Sequence, residues 1–239
     1  MTRLSYFVAR VQADVIRRRD ELLTAFDLSP ETTSYWAFLD LVGSSNYRLS
    51  RGAKEGYVRG EEFYSLVYAA IDPYKEIKAF KELGDGALLE SPNIRPLFEA
   101  STLIVQTAEA LAHVAGSKDF PFAVRISIGF GPCKRLRERK TPDYIGSPID
   151  EAARLNSAAA PNGIVLSEEA FRPNRQVMDE FEFVTFGTVK QLSPEQSKNL
   201  AKPVLYREAS IDPDAFNVCE TGFAAWRRFA QAGSTPTPS

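Results

Sequence analysis

The chain has 239 residues, 44% hydrophobic and 25% charged, which permits one large globular domain or two small ones and excludes a disordered or fibrous protein. A net charge of −2 leaves no global basic field for nucleic acid, and no apolar run approaches the ~20 residues that span a bilayer. One histidine and two cysteines, Cys133 and Cys219, exclude a disulfide framework and a zinc site of nitrogen and sulfur ligands, so any metal should be a hard cation on oxygen ligands, in a reducing cytoplasm.

No signal peptide is visible at MTRLSYFVARV, where charges flank a short apolar patch. Residues 3–26 carry Leu4, Phe7, Val8, Val11, Val15 and Leu22 at helical spacing, which predicts a helix whose charged outer face includes Arg17, Arg18 and Arg19. Residues 28–33 read as a linker. The apolar run at 35–39 then ends on Asp40, followed by Gly43, Ser44 and Ser45. A strand-end acid of this kind is either satisfied by backbone N–H groups in an ordinary strand-to-helix turn, or holds a metal or a reacting group.

Residues 46–73 read as loop and helix, stopping near Ile71-Asp72-Pro73. In residues 75–90 two apolar segments flank Gly84-Asp85-Gly86, a hairpin signal with glycine supplying positive φ. Residues 95–116 read as an amphipathic helix carrying His113 in a structural role. FPFAVRISIGFGPC, 120–133, alternates and is rich in β-branched residues, the mark of a strand. KRLRERK, 134–140, reads as an exposed basic hairpin or loop, and this arm and Arg125 read either as solvated surface or as the border of an interface. Residues 143–163 hold a short strand, a glycine turn, a helix and a Pro/Gly stop. IVLSEEAF is a strand feeding a helix capped by Ser167. FEFVTFGTVKQL and KPVLYRE give late strands, and the tail from about 208 ends in the disorder-prone GSTPTPS.

This order predicts an α+β fold, one sandwich with a mostly antiparallel sheet flanked by helices. Residues 1–33 are assigned to the N-terminal helix and linker, 34–207 to one domain, and 208–239 to a tail. In such a sheet the first strand and the following hairpin can lie side by side, which brings Asp40 and Asp85 to one edge. Two carboxylates there repel unless a cation neutralises them. Mg²⁺ or Mn²⁺ suits an oxygen-only pocket, with phosphate completing the shell.

Four blocks, in order, resemble the class III nucleotidyl cyclases, the adenylate and guanylate cyclase family. They are FLDLVGSS, KELGDG, VRISIGFG and DYIGSPIDEAARLNSAAAPNGIVLS, and the likeness covers roughly residues 34–207. The resemblance implies a ferredoxin-like core and attack of a ribose 3′-OH on the α-phosphorus of the same nucleoside triphosphate, with pyrophosphate leaving. It implies two divalent ions per site, held by Asp40, Asp85 and the Leu41 carbonyl, and Arg154 as the group stabilising charge on the transferred phosphate. Family sites form between two chains, so a homodimer is implied. Lys81 and Asp143 fall where adenylate cyclases read the base, Lys190 where the family binds the triphosphate, and Phe38 is grouped with the substrate-binding residues. Each also has a plain reading: Lys81 as a strand residue, Asp143 and Asp85 as loop or turn residues, and Asp150 with Arg154 as a surface ion pair four residues apart.

One position departs from the family. Asp150 replaces the asparagine that supports the ribose, and an ionised carboxylate only accepts hydrogen bonds. It either holds Arg154 or a ribose hydroxyl, or transition-state support has changed. A free-standing catalytic domain resembles the bacterial pyrimidine cyclases of antiphage signalling. There an aromatic or basic residue before the first metal aspartate selects the base, which makes Tyr35 or Trp36 the candidate; both also fit simple packing at the start of the strand. The expectation is therefore a cytoplasmic cyclase converting UTP to cyclic UMP. ATP, CTP or a catalytically retired nucleotide-binding module are the alternatives.

Overall fold

Two long strands form the centre of the sheet in the computed structural model, which describes residues 3–114, 122–136, 143–198, 200 and 202–212. β1 (Glu31–Leu41) and β4 (Val124–Leu136) pair antiparallel along their length, with Asp40 opposite Arg125 and Trp36 opposite Gly129. Alternate side chains go to opposite faces. Tyr35, Ala37, Leu39, Leu41, Ile126 and Ile128 enter the main core. There they meet Phe63, Leu66 and Val67 of α3 (Ala53–Ile71) and Leu97, Phe98 and Ile104 of α4 (Ile94–Val114). Each such buried side chain contributes about 1.5–3 kcal/mol by leaving water.

The full strand order is β2-β3-β1-β4-β6-β9-β7, with β5 added on β4 and β8 on β9. These are β2 (Lys78–Glu82), β3 (Gly86–Ser91), β5 (Asp143–Ile145), β6 (Gly163–Ser167), β7 (Val184–Phe186), β8 (Lys190–Gln191) and β9 (Leu205–Ile211). Among the described residues every pairing is antiparallel except β4 with β6. The predicted mixed sandwich is the observed architecture.

Trp36, Phe38 and Asp40 share the second face with Arg125, Ser127 and Gly129. α5 (Ser147–Leu155) covers part of it and comes so close that a Cβ on Gly129 would meet the Pro148 carbonyl at 2.7 Å. A small second core of Leu155, Ala159, Val165, Leu192, Val204 and Tyr206 anchors the end of α5. The remaining helices are α1 (Arg3–Asp27), α2 (Ser44–Arg51), α6 (Glu168–Phe171) and α7 (Arg175–Asp179). Ser167 caps α6 as predicted, accepting the Ala170 N–H at 3.1 Å.

Three boundaries differ from the sequence reading. β1 begins at Glu31 because Thr32 and Thr33 pair with Cys133 and Pro132, so the strand takes the end of the expected linker. β4 runs on to Leu136 because β5 pairs with its end, so the basic run begins as strand; 137–140 lie outside the described residues. β9 continues to Ile211, past the expected boundary at 208, held by Ala209 against Ile164. His113 lies on α4, while Cys219 and the tail beyond 212 lie outside the described residues. Among the described residues no helix is long and apolar enough to cross a membrane.

Candidate active site

Strand pairing brings the two predicted aspartates together. β1 and β3 pair so that Asp40 faces Gly86, the residue after Asp85. The Leu41 N–H donates to the Asp85 carbonyl at 2.8 Å, fixing the hairpin tip against the strand end. Gly86 permits this approach, since a Cβ there would lie 2.9 Å from the Leu39 carbonyl oxygen. Gly43, at φ +69°, turns the chain from β1 into α2. That turn presents Ser44, whose hydroxyl donates to the Asp85 carboxylate.

The electrostatics fit a site short of positive charge. Asp40 is pushed up to about 6 by burial first and by the neighbouring Asp85 second, with Arg125 opposing. Arg125 is thus half-buried beside Asp40, a correction to its reading as solvated surface. Beside Asp85 opens a cleft of about 570 Å³, lined by Leu41, Ser44, Arg48, Arg59, Tyr64 and Asp85 among others, though not by Asp40. Its volume suits a small polyanionic ligand. Arg59 is buried there, its guanidinium 4.4 Å over the Tyr47 ring. Among the described residues no group of three or more His, Cys, Asp or Glu could hold an ion by itself. A divalent ion here would rest on Asp40, Asp85 and the Leu41 carbonyl, and would need phosphate or water to complete its shell. The donors are all hard oxygens, which fits Mg²⁺ or Mn²⁺. Cys133, the free thiol among the described residues, is buried and pushed up to about 12, chiefly by burial, so it offers no thiolate nucleophile.

The second predicted pair also converges. Lys81 on β2 lies 3.2 Å from the Asp143 carboxylate on β5, across 62 residues of sequence. Trp36, Phe80 and Tyr144 pack beside them, with ring centroids 5.0 to 5.8 Å apart. The Trp36 indole N–H donates to the Gly131 carbonyl at 2.9 Å. Phe38 lies half-buried on the same face as Asp40. Its carbonyl accepts from the Asn156 amide at 3.1 Å, and the same amide donates to the Arg125 carbonyl at 3.1 Å. Asn156 therefore ties β1 to β4 just under the site.

Tyr35 is not in the site. It enters the main core on the opposite face from Asp40, its ring 4.5 Å from Phe130 and its hydroxyl accepting from the Asn174 amide at 2.7 Å. The predicted stacking on a base is excluded by the pleat, because residues 35 and 40 differ by an odd number. Trp36 has the right face but is fully buried, so it shapes the site from below.

Asp150 and Arg154 are both exposed on α5, and no ion pair joins them among the described residues. No ion pair joins Arg154 to Asp40 or Asp85 among the described residues. Lys190 sits on β8, at the far side of the sheet, ion-paired to Glu208 at 2.7 Å. That bond and the Glu208 charge push the lysine upward. The chain therefore carries Asp40, Asp85, Lys81 and Asp143 as two formed pairs, and Arg154, Asp150 and Lys190 apart from them. Sequence reasoning missed Ser44, Arg125 and Asn156. Arg125 carried a signal, its even spacing from Ser127 and Gly129 on one strand face, whereas the bond from Ser44 to Asp85 crosses 41 residues and left none.

No protein-family model matches the sequence, and no curated protein matches it. Solved structures do. An adenylate/guanylate cyclase/hydrolase from Silicibacter pomeroyi is 19% identical with a TM-score of 0.61, covering 75% of this chain and 97% of its own. The chain has the class III cyclase-domain fold. The guanylate cyclase domain of RhGC from Catenaria anguillulae, in complex with GTP, is 12% identical with a TM-score of 0.59, covering 77% of this chain and 100% of that one. The guanylyl cyclase domain of the RhoGC fusion protein from the aquatic fungus Blastocladiella emersonii, in a non-canonical dimeric form, is 14% identical with a TM-score of 0.58, over 77% and 99%. At these identities the likeness is one of fold.

Proposed function

We propose that the protein is a metal-dependent nucleotidyl cyclase, converting a nucleoside triphosphate to its 3′,5′-cyclic monophosphate and pyrophosphate. One observation carries the reading: strand pairing brings Asp40 and Asp85 together under a small-residue turn, with Asp85 lining a cleft, within a cyclase-domain fold. Mn²⁺ or Mg²⁺, when bound, neutralises the triphosphate and acidifies the ribose 3′-hydroxyl. Asp40, Asp85 and the Leu41 carbonyl hold the ions, and Ser44 keeps the Asp85 carboxylate in place. Phe38 borders the ribose and base on the same face. Arg154 of a second copy stabilises charge growing on the α-phosphate and the bridging oxygen, Asp150 orients that arginine or a ribose hydroxyl, and Lys190 of the second copy meets the triphosphate. The exposure of Arg154 and Asp150, without mutual pairing, supports a site completed across a two-fold axis in a homodimer.

Lys81 and Asp143 read the base. Together they present a donor beside an acceptor, which uracil answers with its O4 and N3–H and adenine with its N1 and amino group. Trp36, Phe80 and Tyr144 fill space beside the pair, which favours a single ring and hence UTP. Cyclic UMP would then be a second messenger of bacterial antiphage defence, following the resemblance to free-standing pyrimidine cyclases. ATP is the second reading, favoured by the Lys81–Asp143 ion pair itself.

The test incubates the purified chain with Mn²⁺ and each triphosphate separately and identifies the product by mass. Cyclic UMP is the expected product, and cyclic AMP would select the second reading. Asp40→Ala and Asp85→Ala should each abolish turnover, while a mixture of Asp40→Ala and Arg154→Ala chains should recover part of it. Absence of any cyclic product, or turnover surviving both aspartate changes, would refute the assignment.

A further inference from the structure

Arg125 stands opposite Asp40 where β1 and β4 pair, so the two side chains leave the sheet on the same face. Cross-strand partners have Cβ atoms about 4.5–5.5 Å apart, and an arginine side chain is long enough to pass beyond the aspartate beside it. The next residues of β4 on that face are covered by α5. The Ser127 hydroxyl donates to the Ala152 carbonyl at 2.6 Å, and Gly129 lies against Pro148. The cover ends at Asn156, whose amide donates to the Arg125 carbonyl. Arg125 is half-buried at that end.

One donor of this arginine is unused. Its Nε is buried and makes no hydrogen bond within the chain. A buried donor left unbonded costs stability, and native folds keep few of them. Arg125 acts on the Asp40 carboxyl through its charge, against burial and Asp85. Asn156, which ties the strands together beside it, is neutral. A guanidinium presents Nε–H and one Nη–H as parallel donors, a fork that fits two oxygens of one phosphate.

We propose that Arg125 grips a phosphate of the substrate from within the same chain, with Nε and one Nη as a two-pronged donor; the contact presupposes the bound triphosphate of the cyclase reading. A divalent ion on Asp40 and Asp85 draws phosphate oxygens into its own coordination shell, within reach of the residue across the strand from Asp40. The phosphate supplies the acceptor that Nε lacks. The contact adds to those of Arg154 and Lys190 of the second copy and does not replace them.

Calorimetric titration of the full chain with Mn²⁺ alone, and with inorganic tripolyphosphate in saturating Mn²⁺, tests the contact. Tripolyphosphate carries no ribose, so no cyclisation intervenes. Arg125→Met should bind tripolyphosphate about 10- to 100-fold more weakly, the loss of a two-pronged charge-assisted contact. The same variant should bind Mn²⁺ alone as tightly as wild type or more tightly, because a cation beside Asp40 is gone. A packing role would give no such split, since a distorted site loses both ligands. Arg125→Lys keeps the charge without the fork and should weaken tripolyphosphate at least about 5-fold; it carries the test if the methionine variant does not fold. Unchanged tripolyphosphate binding in either variant would overturn the proposal, as would Mn²⁺ binding that weakens in step. A wild type that binds no tripolyphosphate would sink the cyclase reading along with it, whereas tight binding shared by wild type and variants would refute the role of Arg125 alone.

Discussion

Replacing Asp40 by Asn should stabilise the metal-free protein while removing its turnover. Burial and the Asp85 charge raise the Asp40 carboxyl from 3.8 to about 6. A raised acid works against the fold once it ionises: between about pH 4 and pH 6 the folded state holds more protons than the unfolded one, so stability falls as pH rises. The full shift corresponds to about 3 kcal/mol at ~1.4 kcal/mol per unit. Asp40 keeps part of its solvent, which reduces this to about 1–2 kcal/mol. Asn is nearly isosteric and neutral, so above pH 6 the variant should melt about 2–8 °C higher in the presence of a chelator, at ~2–4 °C per kcal/mol for a domain of this size. At pH 4 the two melting curves should coincide. Adding Mn²⁺ at pH 7 should raise the wild-type melting temperature and leave the variant almost unmoved, because the ion supplies the charge that the carboxylate pair lacks. Calorimetric scans over pH 4 to 8 decide the matter. A variant that melts at or below wild type at pH 7, or that gains as much from Mn²⁺, would show that the two acids do not form a strained cation site.

Two further changes separate packing from chemistry. Tyr35→Phe removes the hydroxyl that accepts from Asn174, costing about 1 kcal/mol of stability, and should leave the order of preference among triphosphates untouched in the product assay. A changed order would return Tyr35 to the site. Gly86→Ala forces a Cβ to within 2.9 Å of the Leu39 carbonyl and should cost about 1–3 kcal/mol in chemical denaturation while lowering turnover, since the strand shift moves the adjacent Asp85. Full turnover with normal stability would mean the hairpin position does not matter.

Most of the site was legible because its parts lie on short stretches with strong local signals. A strand that ends on Asp40 before Gly43, and a Gly-Asp-Gly tip, declare their geometry without knowledge of partners. The order of the four blocks then indicates which of them meet, and β1–β3 pairing brings Asp40 to Gly86 as that order implies. The misplacement of Tyr35 was also readable, since five residues separate it from Asp40 and the pleat has a period of two. The strand ends at Glu31, Leu136 and Ile211 were less so. They are set by what the neighbouring strand offers rather than by the propensity of the residues themselves.

What one chain cannot display are contacts made between chains. Arg154 and Asp150 stand exposed on α5, and Lys190 spends its charge on Glu208 far across the sheet. In a self-sufficient active site such groups would converge, because a cationic side chain placed for a phosphate must lie within hydrogen-bond reach of it. Here the acids converge and the cations do not. α1 leaves apolar side chains open as well: among the described residues Phe7, Val15 and Ile16 are exposed. The proposed two-fold axis, which carries Arg154 of one chain towards Asp40 and Asp85 of the other, would bring that cation and the acids together. If so, turnover per chain should fall as the protein is diluted, because a site shared by two chains is lost when they separate. Turnover per chain that stays constant down to concentrations at which sedimentation shows only monomer would refute the shared site.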